Sequence, residues 1–470
     1  MKVLRLYTLR LLLMALIVLS AATSCYDYDK QDVISETPVN YINVTLTVSA
    51  SSAPMTRANT PLGGEDGDGR EQGIETRENE VEGVTLIFYR NNAGINASAE
   101  SAASTPIDFV AYYTTTLVGD VSDRYSGELR YTTGERELKA PLSSDNEYHM
   151  LVVANANLEG LIVAGTTTLA QVRDMVRSSV YAGTGVGTNA SLFVMTSEED
   201  KLLSFGTGSY NQATNRRIFT FDNIHIERMA ARIDFWAKNA AYATDYDHNG
   251  YLYSVGTTDH FVLTSITPFN LNMGSGNEYL FKRTSDASSP YLANETTSNW
   301  VIDLYTSGKT TSAHPEWMVS TLTTVESSLT NDYNITMEGS QSGIQKVENI
   351  DDIIIAYPKE NTLNSSSPLY YYATGLAFEG YYYVNGAKTG GERRVYYHYL
   401  RHQGDAESYT AVKSPLDKSV TCGSTTPMSY GVVRNNIYRV SIGGITPDDR
   451  LILNIKVKKW DKFEHATIYM

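Results

Sequence analysis

Two stretches of this chain, one near each end, place apolar residues at every second position. Ile42, Val44, Leu46 and Val48 interleave with Asn43, Thr45 and Thr47. Leu451, Leu453, Ile455 and Val457 face one way, while Ile452, Asn454, Lys456 and Lys458 face the other. A period of two marks a strand with one buried face; a helix would space its apolar residues three and four apart. Shorter strand signals recur around Val84 to Phe88, His149 to Ala154, Arg217 to Phe221, Phe261 to Ile266, Ile353 to Tyr357 and Val395 to Leu400. Gly, Asn and Ser punctuate them, a pattern of β-sandwiches rather than of α/β units. The 34 Tyr against 12 Phe and 4 Trp suit pleated sheets and argue against an all-helical fold. One short amphipathic helix is expected between Thr168 and Ser179, where Leu169, Val172, Met175 and Val176 fall at helical spacing. The expected fold class is therefore all-β with minor α. With 470 residues the chain is long enough for two or three cores, and a boundary is placed near residue 222.

The first residues read as an export signal. Lys2, Arg5 and Arg10 precede the apolar run Leu11 to Leu19, and Ala21, Ala22, Thr23 and Ser24 lead into Cys25. The run is too short to span a bilayer and has the flanks of a secretory signal. Small residues directly before a cysteine resemble a bacterial lipobox, although Ala22 stands where that pattern usually has Leu. Lipidation of Cys25 is expected; the alternative is an ordinary secretory signal beside an unmodified thiol. Cys422 is the other cysteine, so no disulfide framework is available.

Between the first strand and Val84 lies a segment without a packed element. Residues 57–80 contain Pro61, Gly63, Gly64, Gly67, Gly69 and Gly73 among seven acidic residues, the composition of an exposed loop open to proteolysis. Thr56-Arg57-Ala58 stands at its leading edge, with Arg70 and Arg77 farther along. At the other end of the chain, Trp460, Phe463, Ala466, Ile468 and Met470 form a last apolar set, which calls for a partner.

Motifs for chemistry are weak. Ser307-Gly308-Lys309-Thr310 lacks the first glycine of a phosphate loop, since Asp303 occupies that position. His398 and His402 on a strand would stand roughly 13 Å apart, too far to share one zinc. Asp245-Tyr246-Asp247-His248-Asn249-Gly250 resembles half a calcium loop, but Gly256 stands where the bidentate Glu belongs, and a hairpin turn explains the same residues. No nucleophile elbow, metalloprotease helix or dinucleotide fingerprint is present. The formal charge of −15 argues against a nucleic-acid partner. No catalytic residue, metal or cofactor is expected.

Several segments, in order, resemble the fimbrillins of Bacteroidetes (type V pilins), most closely the shaft-subunit family of the minor fimbrium. They are Tyr41 to Val48, Pro54 to Ala58 with the acidic loop, Val81 to Leu86, Ile226 to Arg232, Ser265 to Asn270, Tyr357 to Thr362, and Tyr430 to Tyr438 followed by a strand reaching Trp460. Residues from about 285 to 350 have no counterpart. The resemblance implies two tandem transthyretin-like β-sandwich domains, at 58–222 and 223–470, behind a signal peptide (1–24) and a lipidated propeptide (25–57). It implies export to the outer membrane, cleavage by an arginine-specific protease between Arg57 and Ala58, and loss of the strand bearing Ile42, Val44, Leu46 and Val48. A C-terminal strand from another copy, or from a related fimbrial subunit, then fills the groove. Leu451, Leu453, Ile455, Val457, Trp460, Phe463, Ala466, Ile468 and Met470 are the donor candidates, with the inserting segment left open. The product is an extracellular fimbrium supporting adhesion to a host or bacterial ligand. Alternative readings are an anchor or tip subunit of the same family, or a glycan-binding surface lipoprotein.

Overall fold

The computed structural model describes residues 38–48, 80–118, 129–138, 147–178, 192–204, 208–237, 240–271, 278–293, 295, 299–304, 335–336, 352–362, 373–402, 408–411, 413, 428 and 430–459. The architecture is mostly β, built from several mixed sheets. In the first half the principal strands are β1 (Val39–Val48), β2 (Gly83–Tyr89), β3 (Ile107–Thr114), β4 (Leu129–Thr132), β5 (Arg136–Glu137), β6 (Glu147–Ala154), β7 (Met195–Ser197) and β8 (Arg216–Arg228). They form one sheet in the order β3-β2-β6-β7-β8-β1-β4, with Thr116–Leu117 beyond β4 and β5 also paired to β1. Strand β1, first in sequence, is thus interior in space.

The second half contributes β9 (Arg232–Trp236), β10 (Gly250–Val255), β11 (Asp259–Phe269), β12 (Asp352–Ala356), β13 (Gly375–Tyr383), β14 (Glu392–Tyr399), β15 (Asn436–Ile445) and β16 (Leu451–Lys459). One sheet runs β12-β9-β15-β16 and ends on Ser408–Thr410; another runs from Ala241–Ala243 through β10-β11-β13-β14. Phe235, Phe261, Leu263, Phe378, Tyr396 and Val440 come from both sheets and share one buried core. Strand β8 passes through residue 222 without a break, and the change of core falls between Ala230 and Ala231.

The expected helix is present but short. Helix α1 (Ala99–Ser104) precedes it, and α2 (Leu169–Arg173) starts on a capping box in which Thr168 Oγ1 accepts from the Gln171 N–H and the Gln171 side chain accepts from the Thr168 N–H. Met175 and Val176 lie beyond it, because Val176–Arg177 pairs as a strand with Glu278–Tyr279. Many tyrosines turn inward instead of decorating sheet surfaces: Tyr89, Tyr383, Tyr396, Tyr397, Tyr399 and Tyr438 are among the largest buried side chains. Partners make this tolerable, as where the Tyr438 hydroxyl meets His402 Nδ1 at 2.6 Å and accepts from the Val433 N–H at 2.8 Å.

Candidate functional site

The site is the seat of β1. On one side β1 pairs in parallel with β8, from Val39 opposite Arg216 to Val48 opposite Ile226. On the other it pairs antiparallel with β4 (Thr45 opposite Thr132, Val48 opposite Leu129) and with β5 (Ile42 opposite Arg136). Ile42, Val44, Leu46 and Val48 are each 0 % exposed while Asn43 and Thr45 are only partly buried, so burial follows the alternation as far as Leu46; Thr47 is buried as well. Full burial of four aliphatic side chains is worth roughly 6–12 kcal/mol before ordering costs.

Polar contacts hold the edges and the outer face. The Val44 N–H donates to Thr133 Oγ1 at 3.0 Å, while the Thr133 N–H donates to the Val44 carbonyl at 3.0 Å. Leu138 N–H reaches the Asn40 carbonyl at 2.8 Å, and Thr132 Oγ1 donates to the Asn43 side-chain oxygen at 2.7 Å. From β8, the Arg216 guanidinium lies 4.5 Å over the Tyr41 ring and 3.8 Å from the Glu135 carboxylate, so it crosses β1 from flank to flank. Opposite Leu46, burial pushes the Tyr131 hydroxyl up to about 12, which keeps it neutral beside the apolar seat.

Cys25, Arg57, Ala58, Trp460, Phe463, Ala466, Ile468 and Met470 lie outside the described residues. Leu451, Leu453, Ile455 and Val457 are described. They line the core of their own half, on a strand held between β15 and Ser408–Thr410, and none is more than 9 % exposed. Strand β16 completes its own sheet.

The Asp245–Gly250 segment connects Ala241–Ala243 to β10, in agreement with a hairpin but with a longer loop than a two-residue turn. Its carboxylates have protein partners: Asp245 pairs with Lys388, and Asp247 accepts from the Tyr383 hydroxyl and from the Gly390 N–H at 2.7 Å. Among the described residues, no group of three or more His, Cys, Asp or Glu could hold a metal ion. Ser307 to Thr310 are outside them.

Sequence reasoning missed a buried charge cluster where β8 meets the second half. Lys282 donates to Glu227 of β8 at 3.1 Å and to Glu295 at 3.5 Å. Arg434, just before β15, donates to Glu360 at 2.7 Å and Glu278 at 3.4 Å, and to the Tyr279 and Leu280 carbonyls at 2.8 and 3.0 Å. The only available signal was the setting, since Glu227 and Arg434 are embedded in apolar strand sequence. Arg434→Ala would leave the buried Glu360 and Glu278 carboxyl groups without the guanidinium that donates to both, a loss of about 3–5 kcal/mol that denaturant titration of the purified chain would register. Burial pushes the Glu278 carboxyl up to about 8, against the pull of Arg434. A carboxyl raised in the folded state favours folding most below its unfolded value of 4.5, and that contribution fades as pH rises through about 8. Glu278→Gln should therefore flatten the fall in thermal midpoint between pH 5 and pH 8.

No family model matches this chain, and no curated protein does. Solved structures do resemble it. The tip fimbrial protein Mfa3 of Porphyromonas gingivalis, with a C-terminal truncation, is 11 % identical over 89 % of this chain and all of its own, with a TM-score of 0.41. A fimbrial assembly protein of Parabacteroides distasonis is 10 % identical, with a TM-score of 0.34 over 89 % of this chain and 98 % of its own. A proposed cell-adhesion protein of the same species is 11 % identical, with a TM-score of 0.44 over 90 % of this chain and 98 % of its own. At such identities and scores these likenesses carry no residue role over to this chain.

Proposed function

We propose that the chain is a structural subunit of a cell-surface fimbria, exported as a Cys25 lipoprotein, cut after Arg57 and polymerised by strand exchange. One observation supports this most. Strand β1 is interior and fully buried on its apolar face, yet it joins the rest of the chain through residues 49–79, which carry Arg57, Arg70 and Arg77 in an acidic, glycine-rich sequence. A cut there severs β1 covalently, and its departure would open two unpaired strand edges along an apolar slot. A strand from a second copy restores both ladders. Because β16 is occupied at home, the donor role moves to Trp460, Phe463, Ala466, Ile468 and Met470. Repetition of this head-to-tail contact builds a filament. The role is structural and needs no catalytic group, and adhesion follows from display of the filament outside the cell.

The test is Arg57→Ala in the producing cell. Full-length monomer without filaments is the expected result. Normal filaments from this variant, and also from Arg57→Ala combined with Arg70→Ala and Arg77→Ala, would remove cleavage from the mechanism. Cys25→Ala should separately abolish labelling by a palmitate analogue; undiminished labelling would sink the lipid assignment.

A further inference from the structure

We infer that residues 278–292, which follow β11 in sequence and so belong by position to the second half, are a brace for the first half: they complete its core and keep the seat of β1 in shape once β1 has gone. The second clause rests on the strand-exchange reading; the first stands without it.

Leu280, Phe281 and Leu292 are buried in the core that holds Ile42, Val44, Leu46 and Val48, and they are absent from the core that holds Phe235, Phe261 and Phe378. The backbone follows the side chains. Glu278–Tyr279 pairs antiparallel with Val176–Arg177, and the Leu280 N–H donates to the Met175 carbonyl at 2.9 Å. Farther along, the Tyr291 N–H donates to the Asn96 side-chain oxygen at 3.0 Å, and the Asn96 amide donates back to the Tyr291 carbonyl at 3.3 Å. The Arg173 guanidinium lies 4.5 Å over the Tyr291 ring, while Arg283 donates to the Arg173 carbonyl at 3.0 Å and pairs with Asp174. The same segment grips the second half as well. Arg434 reaches the Tyr279 and Leu280 carbonyls, and the Glu360 N–H donates to Glu278 Oε1 at 3.3 Å.

Strand β8 carries this brace to the seat. Ile226 faces Val48 at one end of the seat, and the next residue, Glu227, accepts from Lys282 of the brace. Arg228 Nη1 then donates to the Asn435 side-chain oxygen at 2.8 Å, and the Asn435 N–H donates to the Ala230 carbonyl at 2.8 Å. Departure of β1 removes four buried aliphatic side chains from the first core. Among the described residues, it also leaves β8 paired only near its two ends, with Ser209–Asn211 and with β7. A strand fixed at its far end by the second half stays extended and offers a formed edge to an incoming strand. Without that hold the empty seat would be open only part of the time, and the apparent affinity for any occupant falls with the open fraction. The second half thus serves the first as a built-in scaffold.

The test has two arms, both on the full chain. Hydrogen exchange of the uncut protein reads which core the segment serves. Phe281→Ala should speed amide exchange at least tenfold in peptides covering β2 and β6 and leave β10, β11 and β13 within twofold, while Phe378→Ala does the reverse. Faster exchange in β10, β11 and β13 with β2 and β6 unchanged, or equal rises in both halves, would overturn the brace. The second arm uses the chain cut by an arginine-specific protease and a labelled synthetic peptide of the Val39–Val48 sequence. Asn96→Ala combined with Arg283→Ala loosens the brace through its polar contacts and spares the buried apolar ones. This variant should bind the peptide at least fivefold more weakly than the parent. Equal affinity would overturn the seat-keeping role. Failure of the parent itself to exchange its β1 fragment for the peptide would overturn strand exchange and that role together, while the exchange pattern of Phe281→Ala decides the brace on its own.

Discussion

Leu46→Asp in the uncut chain is expected to unfold the first half, while Val39→Asp seven residues earlier leaves it nearly unchanged. Leu46 is 0 % exposed and paired between Ile224 of β8 and Tyr131 of β4. Loss of its packing costs about 2–5 kcal/mol, and a carboxylate without a partner in the same place adds more. The sum reaches the scale of a whole domain's stability, about 5–15 kcal/mol. Val39 is 41 % exposed at the start of the same strand, so the same charge there should shift stability by no more than about 1 kcal/mol. Urea titration of the two variants measures the contrast. A Leu46→Asp chain as stable as the parent would mean that β1 does not hold the first half together.

The second large effect separates two neighbouring parts of the C-terminus. Leu453→Asp should collapse the core of the second half, because Leu453 is buried at 0 % exposure between Ile442 of β15 and Tyr409. Deletion of residues 460–470 should do the opposite, leaving the melting temperature of the uncut chain within about 2 °C of the parent. That deletion should nevertheless stop polymerisation after cleavage, and Ile468→Asp should do the same by placing an unpaired carboxylate in the next subunit's groove. Calorimetry of the precursors beside filament counts reads both effects. A deletion variant that melts far below the parent would assign these residues to their own fold and withdraw the donor role.

The strands themselves were legible because burial and period two coincide, as at Ile42 to Leu46 and Leu451 to Val457. Pairing was not. Nothing local in Val39–Val48 shows that it lies parallel to a strand beginning at Arg216, since that contact depends on what the intervening chain leaves exposed. The two strands look alike in sequence yet have different neighbours, β1 lying between β8 and β4 and β16 between β15 and Ser408–Thr410. The charge cluster was hidden for a related reason: Arg434 is the kind of residue expected at the surface, and its burial is tolerated only because Glu278 and Glu360 arrive from distant segments.

The central claim is that β1 leaves and a foreign strand takes its place. N-terminal sequencing of subunits from purified surface filaments tests it most directly. The account predicts chains that begin at Ala58, without Val39 to Val48. Filament subunits that begin at a lipidated Cys25 and retain β1 would contradict it.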